Sequence, residues 1–175
     1  MNTLKQPTEV QLEMIRQQLG REPQGMVGIA VENEKAVPLV LQMELLVNDK
    51  PFPTLYWLSS KDLYQAIAEI ETAGAVKLLE EELMSDPELL EKHLADQQRY
   101  VDLRWASASE QQKQRIEELG FLPLYSKYGI GGISQWDKIR CLHMQYAYHL
   151  AEGSTLGELL DQRYGLGLKL NDLNI

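Results

Sequence analysis

The string Tyr128-Gly129-Ile130-Gly131-Gly132-Ile133-Ser134 is followed closely by Arg140, Cys141 and His143. Glycines let backbone N–H groups converge, and a helix starting at Ser134 would add partial positive charge at the same point. Gly129, Gly131 and Gly132 are therefore candidates to cradle a phosphate or carboxylate. Arg140 would pair with its charge, and His143 would act as acid or base. The string is not a P-loop, since no Gly-Lys-Ser/Thr follows, and no parallel strand precedes it as the dinucleotide fingerprint requires. The plain alternative is a tight turn that lets the next helix pack closely.

Ser134-x-x-Asp137 has capping spacing and predicts a helix from there to about Gly153. At about 100° per residue, Trp136 and Leu150 fall about 20° from His143, and Arg140 about 60°. His143 then sits mid-stripe among apolar side chains with Arg140 beside it, a costly placement unless both are satisfied. Either they bind an anion, or His143 makes a core hydrogen bond and Arg140 a structural ion pair. On the same continuous helix, Cys141 and His143 diverge by about 200°. That angle excludes a Cys–His dyad or a shared zinc unless the helix breaks. His149, at about 120°, is no better a partner. Cys141 shares its face with Asp137, Gln145 and Glu152, whose carboxylates disfavour a thiolate. It reads as a small packed or partly exposed thiol. No metal site is expected, His93 being the remaining histidine, and no motif names a cofactor.

Tyr100 and Arg104 share a helical face, and Arg21 lies in the turn between Gly20 and Gly25. With Arg140 they could line an anion pocket if the fold brings them together; otherwise each has a separate structural or surface role. Tyr56 and Trp57 are consecutive in an extended run and should point to opposite faces. The run Glu80-Glu81-Glu82, with Asp86, Glu88 and Glu91 beyond it, reads as a solvated face or a dock for a basic protein partner.

The elements that must position these residues follow from periodicity. Thr8-x-x-Gln11 has capping-box spacing and opens a helix that Gly20 stops. Met26 to Glu32 and Val37 to Met43 are rich in Val, Ile and Leu and read as paired strands, with Thr54 to Leu58 as a third. Pro38 marks an edge or a late start of its strand. These form a small antiparallel three-stranded meander with one covered face. From Ser59 the period changes to about 3.6. Ser59-x-x-Asp62 caps a helix to Gly74, and another helical stretch covers Val76 to Leu83. Asp86-Pro87 opens a long helix to about Trp105. Ser107-x-x-Glu110 and Thr155-x-x-Glu158 cap two more, while Phe121 to Tyr128 is extended or loop. The fold class is α+β, a meander followed by several packed helices, in a single domain over residues 1–175. The tail from Gly165 is unassigned.

A chain of 175 residues, 44% of them apolar, is long enough to build a core. Its 17 Lys and Arg against 26 Asp and Glu give a net charge of −9, which argues against nucleic acid or an anionic membrane as partner. One cysteine excludes an intrachain disulfide and multi-cysteine metal motifs. No apolar run reaches about 18 residues, the length of a membrane span. The start, Met1-Asn2-Thr3-Leu4-Lys5-Gln6-Pro7, lacks the apolar stretch of a signal peptide. A cytoplasmic setting fits.

Several strings together resemble one family. They are Leu19-Gly20-Arg21-x-Pro23-x-Gly25, Pro51-Phe52-Pro53-Thr54-Leu55-Tyr56-Trp57-Leu58, Tyr100-x-x-x-Arg104, Gly129-Ile130-Gly131-Gly132 and Ile139-Arg140-Cys141-Leu142-His143. Their order and spacing are similar to those of the bacterial domain-of-unknown-function family 501, over about Leu19 to Gly153. The resemblance implies a bacterial, cytoplasmic, single-domain protein and carries no established activity. Many members have a cysteine just after the Tyr-Trp-Leu strand, where this chain has Ser59-Ser60, so chemistry needing two thiols does not transfer. Two functions remain in view. One is binding of, or action on, a small phosphate- or carboxylate-bearing ligand. The other is a non-enzymatic protein–protein interaction module or regulator.

Overall fold

The computed structural model describes residues 4–175. Residues 1–3, part of the stretch read for a signal peptide, lie outside it. The first helix, α1 (Glu9–Leu19), opens on a capping box: Thr8 accepts the Gln11 N–H and the Gln11 side chain returns to the Thr8 N–H. Gly20 closes it in the left-handed conformation.

Strands β1 (Met26–Glu32), β2 (Pro38–Met43) and β5 (Tyr56–Leu58) form an antiparallel sheet in the order β1-β2-β5. Ile29 faces Leu41 on one side of β2, and Leu41 faces Trp57 on the other. Pro38 is the first residue of the central strand, where its missing N–H costs no ladder bond. Between β2 and β5 a hairpin, β3 (Leu46–Val47) and β4 (Lys50–Pro51), turns through Asn48 and Asp49. Both have positive φ, the conformation that two-residue hairpin turns demand. The outer edge of β1 is bridged by Lys5 to Ile29. Gly28 permits that approach, since a Cβ there would stand 2.8 Å from the Lys5 carbonyl oxygen.

Both faces of the sheet are covered, not one. Helix α1 sends Ile15 onto Ile29, Leu41 and Met43. Val40, Tyr56 and Leu58 face the helical layer on the other side. A continuous run such as Leu39-Val40-Leu41, at most 1% exposed throughout, is what a strand buried on both faces carries. Tyr56 and Trp57 do point to opposite faces.

The helical layer comprises α2 (Lys61–Thr72), α3 (Ala75–Ser85), α4 (Pro87–Ser107), α5 (Glu110–Glu118), α6 (Leu122–Lys127), α7 (Leu142–Glu152) and α8 (Thr155–Tyr164). Asp86 caps α4 and Pro87 opens it, as its sequence implies. Three caps sit away from the expected residues. Ser60, Ser109 and Ser154 accept the N–H groups at the starts of α2, α5 and α8, in place of Ser59, Ser107 and Thr155. Ser59 instead donates to the Pro38 carbonyl, and Ser107 back to that of Arg104. Phe121 to Tyr128 is not extended: it holds α6, with Pro123 in its first turn. After α8, a 3₁₀ segment (Gly167–Asp172) returns the tail to the sheet. Asn33 donates there to the carbonyls of Leu170 and Leu173. No helix among the described residues is long and apolar enough to cross a membrane.

Candidate functional site

The helix expected from Ser134 does not form there. Ile130–Gly132 makes a short 3₁₀ turn, with Gly131 and Gly132 at positive φ, and the chain stays irregular until Leu142. The competing force is tertiary. The Ile139 N–H donates to Glu80 Oε1 at 2.8 Å and the Leu142 N–H to Glu71 Oε1 at 2.7 Å. Two carboxylates from α3 and α2 thus take donors that a helix through this stretch would have used. Cys141, extended at φ −144° and ψ 111°, becomes the residue before α7.

That break reverses the expected separation of Cys141 and His143. The thiol Sγ lies 3.8 Å from His143 Nδ1, and Glu71 Oε2 lies 3.5 Å from the same nitrogen. One ligand-type atom of each residue falls within 4.8 Å of the other two. The opposite nitrogen, Nε2, lies 3.1 Å from the Tyr64 carbonyl oxygen. An oxygen acceptor there fixes the ring proton on Nε2, so in the neutral ring Nδ1 carries a lone pair toward the sulfur and the carboxylate. The exposed Tyr64 ring stacks on the imidazole with centroids 4.0 Å apart. His143 is 7% exposed, and Cys141 and Glu71 are half-buried. Burial pushes the Cys141 thiol up. Backbone N–H groups of Met144 and His143 and the Arg140 charge oppose that shift, while Glu71 adds to it.

The glycine turn is fastened from behind. Gln97 Oε1 on α4 accepts the Ile130 N–H at 2.8 Å. The Gly129 and Gly132 N–H groups donate to the carbonyls of Ile133 and Gly129. Two of the three glycine N–H groups expected to cradle an anion, those of Gly129 and Gly132, are therefore spent inside the turn. A Cβ on Gly129 would collide with Gln97 Oε1, and one on Gly131 would stand 3.5 Å from Cys141 Cβ. The turn packs as close backing for Cys141.

Of the other expected residues, Arg140 alone adjoins this place. It is exposed, forms no ion pair among the described residues, and touches the Gly132 carbonyl oxygen at 3.3 Å. Arg104 is fully buried, donating to the carbonyls of Pro53, Tyr125 and Tyr128 at 2.6–2.7 Å. Burial lowers its pKa. Tyr100 accepts the Leu55 N–H and donates to the Pro53 carbonyl. This pair holds backbone behind the site. Arg21 lies over the Trp57 ring, 5.0 Å from its centroid, in a groove with Glu22 and Phe52. The expected residues thus occupy three places and form no common pocket.

The other histidines have structural partners. His93 is buried next to Gln97, and burial lowers its pKa. His149 accepts the Ser154 N–H and meets Asp161 at 3.1 Å. Glu71 and Tyr64 carried no local signal, since an acidic residue near a helix end resembles any solvated one. Within the acidic run, Glu80 holds Ile139, and Glu82 pairs with Arg163.

A family model described as a protein of unknown function, DUF501, matches residues 29–161. The chain belongs to that family. The DUF501 span contains Glu71, the glycine turn, Arg140, Cys141 and His143, and starts after Arg21. Among the curated proteins and among the solved structures, nothing matches the chain.

Proposed function

We propose that this DUF501 protein binds, and acts on, a small phosphate- or carboxylate-bearing ligand at the start of α7. The observation that carries the reading is an exposed, unpaired Arg140 beside a thiol and an imidazole. The guanidinium offers planar, bidentate recognition of either anion. With no metal bound, His143 Nδ1 is placed to accept a proton, and Gly129, Gly131 and Gly132 let the backbone pack closely behind. Arg104 acts at a distance, by holding the chain that leads into the turn, and Tyr100 by holding the approach to β5. Arg21 has no part. A reducing, cytoplasmic setting keeps Cys141 a thiol.

Thermal unfolding against phosphate, pyrophosphate, short polyphosphate, nucleotides and small carboxylates tests the reading. Ligand at about 100 times Kd adds about 2.7 kcal/mol, and each kcal/mol moves the midpoint by about 2–4 °C at this size. The expected result is a shift with one ligand class that Arg140→Ala abolishes. A flat response across the panel overturns it. A second reading, a protein partner, draws on Leu78 and Met84 of α3, which are 52% and 59% exposed. Pull-down at low and high salt would then recover a partner lost on Leu78→Ser.

A further inference from the structure

We propose that Glu71, Cys141 and His143 bind one divalent transition-metal ion, zinc in the first instance. The site goes beyond the anion reading and does not depend on it.

The donor set is the starting point. A thiolate, an imidazole nitrogen and a carboxylate oxygen are the three ligand types of zinc sites, and an N/S/O mixture selects against magnesium and calcium. The ring orientation is the second, independent observation. A ligating histidine donates its other N–H to a carbonyl or carboxylate, which fixes the tautomer. His143 does this: Nε2 faces the Tyr64 carbonyl oxygen at 3.1 Å, and Nδ1 is left as an acceptor toward the cluster. Glu71 is held in the same manner. Its Oε1 accepts the Leu142 N–H at 2.7 Å, which aims Oε2 at Nδ1. With the ring neutral, two acceptor atoms then face each other at 3.5 Å, and a cation between them resolves the repulsion.

The spacing fits. Zinc bond lengths in a tetrahedron separate sulfur from nitrogen by about 3.6 Å and nitrogen from oxygen by about 3.3 Å. The corresponding distances here are 3.8 Å and 3.5 Å. Closing each by a few tenths of an ångström needs only side-chain adjustment. The ligands come from two elements, the end of α2 and the start of α7, so the ion would fasten these helices together. Three protein ligands leave one position open, the arrangement of reactive rather than purely structural zinc sites. On binding, the Cys141 thiol releases its proton to solvent and the sulfur takes the metal. Backbone N–H groups of His143 and Met144 help to hold the thiolate.

The rival arrangement is an imidazolium on Glu71, with both ring nitrogens protonated and no metal. Cobalt(II) separates the two. The purified chain is stripped with chelator and titrated with cobalt(II) alone, with no phosphate or carboxylate present. The expected result is a thiolate-to-cobalt charge-transfer band with tetrahedral d–d bands, saturating at one ion per chain and bleached by an equivalent of zinc. Cys141→Ser removes the charge-transfer band. Glu71→Gln keeps an oxygen for the Leu142 N–H and weakens binding at least about tenfold. Arg140→Ala leaves the band intact, so failure of the anion reading and failure of the metal site are told apart. No charge-transfer band from the wild-type chain in excess cobalt overturns the proposal, whatever the variants do. So does an unchanged band in Cys141→Ser.

Discussion

Arg104 holds three backbone carbonyls from two separate stretches, Pro53 before β5 and Tyr125 and Tyr128 around the end of α6. A planar fork reaches them from two separate nitrogens, whereas an ammonium donates from a single point. Its guanidinium also lies over the Tyr100 and Tyr125 rings, 5.0 and 5.6 Å from their centroids. The charge is buried without a carboxylate, so carbonyl dipoles and ring faces compensate it. Removing the side chain strands the Tyr125 and Tyr128 carbonyls, leaves that of Pro53 with the Tyr100 hydroxyl alone, and opens a cavity. At about 1–3 kcal/mol for each unsatisfied buried group, Arg104→Ala should lose about 3 kcal/mol or more. Arg104→Lys should recover less than half of that loss. Urea unfolding reads both, as a fall in midpoint at constant slope. Equal stability of Arg104→Ala and wild type would show that the carbonyls find other partners. The side chain was legible as a polar residue sharing a helical face with Tyr100. Its partners were not, because backbone carbonyls carry no sequence signature.

At the scale of elements, legibility follows where hydrogen bonds are satisfied. Helix α1 is capped by its own Thr8 and Gln11, and β1 and β2 carry their apolar runs in their own residues. These elements read correctly because their determinants are local. The segment from Ser134 to Cys141 carries an equally good local signal and is not a helix. The Ile139 N–H goes to Glu80, and that of Leu142, just past the segment, to Glu71; these lie on α3 and α2, far back in the chain. Periodicity cannot report a partner at that separation, so the helical wheel kept Cys141 and His143 apart when the break joins them. Glu80→Ala tests this cause. It removes the acceptor for Ile139 N–H and should cost about 1–2 kcal/mol. Hydrogen exchange should quicken in residues 134–142 while α1 and the sheet stay protected. Unchanged exchange in that segment would mean that Glu80 does not hold it.

Across the whole molecule, five tyrosine hydroxyls serve as internal fasteners. Tyr56 bonds Glu152, Tyr146 bonds Asp161, and Tyr125 donates to the Leu45 carbonyl. Tyr148 accepts from Arg99, and Tyr100 ties α4 to Pro53 and Leu55. All five are at most 6% exposed. They join β5 to α7, α7 to α8, and α4 to the approach to β5, so they cross-link the layers. Burial raises each phenol above its ordinary pKa, with Tyr125 pushed up to about 12. Desolvation disfavours the phenolate, and for Tyr56 and Tyr146 the carboxylate partner adds to it. A folded-state pKa above the unfolded value gives stability that is fully present below about pH 10 and lost as pH rises through the folded value. Stability should therefore hold up to about pH 10 and fall steeply between about 10 and 12. The five buried hydroxyls should then ionise together with the loss of helix. Tyrosinate absorbance and far-ultraviolet circular dichroism followed in one titration check this. Coincident transitions would make the hydroxyls part of the global fold. Ionisation of all five well before helix is lost would mean that the layers are held by apolar packing alone, with the tyrosines as passengers.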